Sequence, residues 1–207
     1  MNKIRMSVLL GALMMAASGI ASAQFGGLTS ALGGGKSGGS VSAEQIVKRY
    51  VTGTQSVMNA DANMLAALGL KDESEKAALH AKNLTEGATK DALEGASKVQ
   101  TDSSKALEEH MAGKKVVMDE ESKKRFANGL ADLARGVIQY VGVSKDMSGF
   151  KPSVTSLGAA ANSAVYIVQS LPGSLKSVGS TLKTAIDFAK SNNIPLPKEA
   201  NDATALL

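Results

Sequence analysis

The chain predicts an all-α fold, an antiparallel bundle of about five helices preceded by a signal peptide and a Gly/Ser-rich linker. Three observations carry that prediction. Apolar residues recur at three- and four-residue steps over long spans. Capping residues stand where those stripes begin, and no stretch after the leader alternates with the period of a half-buried strand.

The first element is a leader. Lys3 and Arg5 give a positive start, Val8 to Ala17 an apolar centre, and Ala21-Ser22-Ala23 a small-residue cleavage site. The apolar run is too short to span a bilayer. Cleavage after Ala23 leaves 184 of the 207 residues, beginning at Gln24. Residues 24–41 then form a linker. Gln24 to Ser40 holds seven glycines and few residues worth burying, so ordering it costs more entropy than burial returns.

The bundle domain is expected over 42–190. Ser42-Ala-Glu-Gln45 is a capping box. A stripe through Ile46, Tyr50, Val57, Met64 and Leu68 follows it, giving a helix over roughly 43–68. Gly69 supplies a left-handed stop, with Leu70 placed to pack back on the last turn. The next segment, 72–112, is polar, alanine-rich and free of proline. It reads as one helix, or as two broken near Gly95. Lys82, Glu86, Lys90, Glu94, Lys98 and Asp102 alternate in sign every four residues, each pair favourable on a helix by about 0.2–0.5 kcal/mol.

Asp119-Glu-Glu121 suits the positive end of a third helix, whose stripe runs from Phe126 through Val141 to a stop at Gly142. Phe150-Lys-Pro-Ser153 reads as a break. Ser153 or Thr155 caps a fourth helix to Leu171, Pro172-Gly173 turns the chain, and Ser174 caps a fifth carrying Leu175, Val178, Leu182 and Ile186. The tail, 191–207, carries two prolines and cannot be helical at them.

Composition excludes several classes of function. Removing Lys3 and Arg5 from the 23 basic residues leaves 21 against 19 acids, a charge of +2 that gives no reason to expect nucleic acid as partner. There is no cysteine for disulfides, zinc or a thiolate nucleophile, and no tryptophan for stacking bases or sugars. Neither His80 nor His110 sits in a Glu-x-x-His pair, because Ala77 and Leu107 occupy the positions three before them. No phosphate-cradling or serine-hydrolase motif is present. No catalytic residue, metal site or cofactor is therefore assigned. A Ser/Lys dyad or a carboxylate site is the remaining enzymatic alternative, without a residue that singles it out.

Two features stand apart. Asp61 lies within the apolar stripe of the first helix. It is expected to sit hydrated at the stripe's edge; the alternative is a buried carboxyl with a raised pKa. Pro152 to Leu175 carries no charge, with a small, apolar centre at Ala159 to Val168. A core helix buried on all sides by its neighbours is the expected reading, and a lipid-inserting segment the other. Thr89 to Lys98 resembles in composition the Lys/Ala/Thr/Glu helices of late-embryogenesis-abundant and apolipoprotein-like chains, without their eleven-residue period, and the resemblance implies no activity.

These readings lead to an exported, non-enzymatic protein, periplasmic or secreted, with no transmembrane anchor after cleavage. It is expected to act by binding another envelope protein or itself. The alternative is a carrier of lipid or another apolar ligand, with a pocket near Asp61, Val165 and Tyr166.

Overall fold

A computed structural model describes residues 41–113, 115–148, 150 and 158–207. The leader and nearly all of the linker lie outside the described residues. The described residues form six α-helices and no strand: α1 (Ala43–Ala67), α2 (Lys71–Asn83), α3 (Lys90–Met111), α4 (Glu120–Met147), α5 (Ala159–Ser191) and α6 (Lys198–Thr204).

Helix α1 is central, in contact with α2, α3, α4 and α5. Its start is the capping box: the Gln45 N–H donates to Ser42 Oγ (3.3 Å), and Gln45 Oε1 accepts from the Ser42 N–H (3.1 Å). Its end is a Schellman turn. Gly69 takes φ +84°, its N–H donates to the Ala66 carbonyl (3.0 Å), and Leu70 N–H donates to Leu65 (2.9 Å). Both termini therefore satisfy groups that a helix end otherwise leaves open.

Helices α1 and α4 run antiparallel along a seam of small residues. Gly53 faces Tyr140, Gly136 faces Val57, and Gly129 faces Met64 and the Ala60 carbonyl. Each glycine removes a methylene-sized obstacle, so the two backbones approach closely enough for large neighbours to interdigitate. An Arg49–Asp146 ion pair and hydrogen bond closes one end of the seam.

The polar second segment is two helices, and the break falls at 84–89, not near Gly95. The Leu84 carbonyl accepts from Gln55 Nε2 (2.7 Å), which fixes the break against α1, and Thr89 caps α3 through the Ala92 N–H (3.3 Å). The alternating charge row is divided accordingly. Lys90–Glu94 and Lys98–Asp102 pair along α3, whereas Glu86, in the turn, pairs with Lys48 of α1.

Asp119 caps α4 by accepting from the Ser122 N–H (2.7 Å). The helix runs five residues past Gly142, which meets no neighbour and costs only its propensity.

Helix α5 corrects the expected turn at Pro172-Gly173. It is one helix of 33 residues with Pro172 inside it and Ser174 in its interior; Ser153 and Thr155 lie outside the described residues. A buried stripe of Ala164, Ile167, Leu171, Val178, Leu182 and Ala185 keeps helical register straight through the proline. Burial of that stripe on both sides outweighs the one hydrogen bond and the steric strain Pro172 brings, about 3 kcal/mol.

The uncharged part of α5 is not buried on all sides either. Ser163, Ala164, Ile167 and Leu171 face the core, but Val165 and Val168 are 40% and 38% exposed. No described helix is long and apolar enough to cross a membrane.

The tail is non-helical at its prolines, as expected, and carries a short helix after them. Asn193 at φ +53° ends α5, with the Ile194 N–H donating to the Ala189 carbonyl (2.9 Å). Pro195 and Pro197 stay outside any helix, and α6 then folds back with Ala200 and Ala203 buried against the bundle. Arg135 of α4 ties it down, donating to Glu199 Oε1 at 2.7 Å and to Asp132 Oδ1 at 2.8 Å.

Candidate functional site

The chain's three tyrosines converge on one face of α3. Tyr50 and Tyr140 stack with centroids 5.2 Å apart and planes 9° from parallel. Tyr140 Oη donates to Gln100 Oε1 (2.8 Å) and lies 2.9 Å from Thr54 Oγ1, which also reaches the Tyr50 carbonyl at 2.9 Å. Tyr166 Oη donates to Ser97 Oγ (3.0 Å), and Tyr50 Oη stands 3.4 Å from the same Ser97 oxygen. Burial pushes the Tyr140 phenol well above its usual pKa. Its hydroxyl is neutral and acts as a structural link among α1, α3 and α4, whose buried polar atoms need partners.

Asp61 is fully buried, which overturns the expectation of a hydrated residue at the stripe's edge. It sits seven residues after Thr54, on nearly the same face of α1, and the neighbouring helices cover that face completely. Neither carboxyl oxygen has a hydrogen-bond partner, and desolvation raises its pKa well above the ordinary carboxylate value. The neutral acid is thus the form the core accommodates.

The three residues expected to share a pocket do not. Asp61 is sealed in the core, Tyr166 is half-buried and bonded to Ser97, and Val165 points toward solvent. None of them lines the cleft beside the C-terminal segment or the smaller one near Phe188. Among the described residues no group of three or more His, Asp or Glu side chains is placed to hold a metal ion.

The larger cleft, about 1150 Å³, lies between α5 and the C-terminal segment. Its floor is apolar: Leu171, Leu175, Leu182 and Ile186 from α5, faced by Leu206 and Leu207. Gly179 makes room for the C-terminal wall, since a Cβ there would come 3.1 Å from Leu207 Cδ1. Its titratable side chains are Lys176, Lys183, Asp187 and Lys190, all at the rim and exposed. Asp187 is shared with a smaller cleft of about 390 Å³ near Phe188 and Lys115.

Sequence reasoning missed this site because its second wall is the Pro-containing tail, set outside the bundle domain of 42–190. The signal available was the seven-residue spacing of Lys176, Lys183 and Lys190 beside Leu175, Leu182 and Ala189. That spacing keeps both rows nearly in line along a helix, but only if the helix continues beyond Pro172.

With this geometry established, comparison with known proteins adds no relative: no family model, curated protein or solved structure matches the chain.

Proposed function

We propose that this chain is an exported, non-enzymatic helical-bundle protein that carries an apolar ligand in the cleft between α5 and the C-terminal segment. The observation that supports this reading is the cleft itself. Leu175 and Ile186 are partly exposed there, and Leu206 is 44% exposed. The volume, about 1150 Å³, is somewhat larger than the usual range of small-ligand sites, about 300–1,000 Å³. Apolar atoms make most of its lining surface, and its charged side chains are exposed, an arrangement that suits a largely hydrophobic ligand with a polar end. In this reading the leader at 1–23 directs the bundle to the periplasm or beyond.

A second reading, binding of another envelope protein or self-assembly, has its own support in Val165 and Val168. These exposed valines lie one turn apart on the uncharged half of α5. Such a patch is a contact surface when it is contiguous with others of its kind.

Native mass spectrometry of residues 24–207, purified from a bacterial periplasm, separates the two. The carrier reading expects added mass that organic extraction removes and identifies as an apolar molecule. A symmetric oligomer with no extractable mass supports assembly in its place.

A further inference from the structure

Resting on the reading of the α5 cleft as the binding site, we infer that its ligand is a single-chain anionic amphiphile, of which a long-chain carboxylate is the simplest. The apolar floor and the charged rim are parallel features of one helix. Lys176, Lys183 and Lys190 follow one another at seven-residue steps, about 10.5 Å apart along the axis and drifting by only about 20° per step. They edge a floor built from Leu175, Gly179, Leu182 and Ile186 on the adjoining face. The row therefore runs alongside the apolar trough for about 21 Å, the reach of an extended acyl chain lying in it.

The charge of the rim is one-sided. Among the lining side chains three lysines stand against a single acid, Asp187, and the terminal carboxylate of Leu207 is the other negative group of the lining. Elsewhere some lysines are paired, Lys48 with Glu86, Lys90 with Glu94, Lys98 with Asp102 and Lys123 with Glu120, while others, Lys71, Lys124 and Lys145 among them, make no ion pair among the described residues. Among the described residues none of the three rim lysines makes an ion pair. Asp187 stands one turn from both Lys183 and Lys190, while Lys176 has Pro172, Gly173, Gly179 and Ser180 at the same spacings and no acid. Of the three rim lysines, Lys176 is thus the one with no acid within a turn, and Ser144, Ser180, Leu171 and Leu175 line the same cleft.

A lysine at a trough edge lays its methylenes along the acyl chain and keeps its ammonium in water, so it favours an anionic head without being desolvated. A cationic head placed there meets three like charges. The cleft therefore selects by sign of charge at the rim and by apolar contact in the floor.

Calorimetric titration of the mature protein with three dissolved twelve-carbon probes tests this: dodecanoate, dodecanol and dodecyltrimethylammonium. Dodecanoate is expected to bind more tightly than the cation by about tenfold at low salt, with the gap narrowing at high salt. Lys176→Gln/Lys183→Gln/Lys190→Gln is expected to erase the preference while dodecanol binding stays. Ile186→Glu, on a half-exposed position, is expected to weaken all three probes, with its folding checked by circular dichroism.

Equal affinity for anion and cation, or a preference that survives in the triple Gln variant, overturns the headgroup assignment and leaves the cleft as a site. If no probe binds, or if Ile186→Glu changes nothing, the cleft reading itself fails. Sedimentation with phosphatidylglycerol vesicles, without any complex with dissolved dodecanoate, overturns the inference in favour of a membrane surface.

Discussion

Gly136 of α4 lies against Val57 of α1 so closely that a methyl group added to it would stand 2.5 Å from Val57 Cγ2 and 3.2 Å from the Val57 backbone nitrogen. The backbone atom cannot move aside as a flexible side chain can. This contact sets the spacing of the two helices that make the most extensive interface in the fold, and it makes the seam the part of the core least tolerant of added volume.

Gly136→Ala is therefore expected to destabilise the protein by about 1–3 kcal/mol, even though alanine gains about 1 kcal/mol in helix propensity. Gly95→Ala is the matched control, because a Cβ there meets nothing within 4 Å. It is expected to stabilise by up to about 1 kcal/mol. Urea midpoints of the two variants, moving in opposite directions, check the seam.

Tyr140→Phe keeps the stacked ring and removes the hydroxyl that links Thr54 to Gln100. Buried partners left unsatisfied cost about 1–3 kcal/mol. The expected result is a lower thermal midpoint with an unchanged helical spectrum; an unchanged midpoint would mean that water serves these groups equally well.

Asp61 makes stability depend on pH in a stated direction. Its folded pKa is raised, so the folded state holds a proton that the unfolded state has already released. The contribution is fully present below about pH 4, the ordinary carboxylate value. It is lost as pH rises toward the elevated folded pKa, at a slope of about 1.4 kcal/mol per pH unit. Asp61→Asn, with nearly the same shape and no ionisation, is expected to match the natural protein near pH 4 and to exceed it at pH 8. Denaturation curves at the two values measure the difference, and parallel pH profiles would contradict the burial of this group.

Pro172→Ala tests the continuity of α5. In an unbroken helix the change restores an N–H donor and removes a clash with the preceding turn, and is expected to stabilise by up to about 3 kcal/mol. Were the chain to turn at Pro172-Gly173, the same change would loosen that turn and lower the melting temperature.

What the sequence made legible was mostly local chemistry. The capping box at Ser42, the left-handed Gly69 and the acids at 119–121 each act within one turn of helix, and each appears in the structure. Pro172-Gly173 was misread because two local breakers were weighed without following the stripe from Leu171 to Val178, which stays in register across them. Asp61 stood out in its stripe, but its burial depends on how completely other helices cover α1, a fact no single window holds. The cleft was invisible for the same reason. Its walls come from residues 171–190 and 201–207, brought together by a seven-residue helix too short for any periodicity to announce.

The most direct test of the account is a methyl-resolved NMR titration of the mature protein with dodecanoate, following the five isoleucines and the leucines. The account predicts that Ile186, Leu175, Leu206 and Leu207 shift together and saturate, while Ile46 and Ile167, sealed in the core, stay in place. Shifts centred on residues around Asp61 and Tyr166, or spread evenly with no saturation, would contradict it.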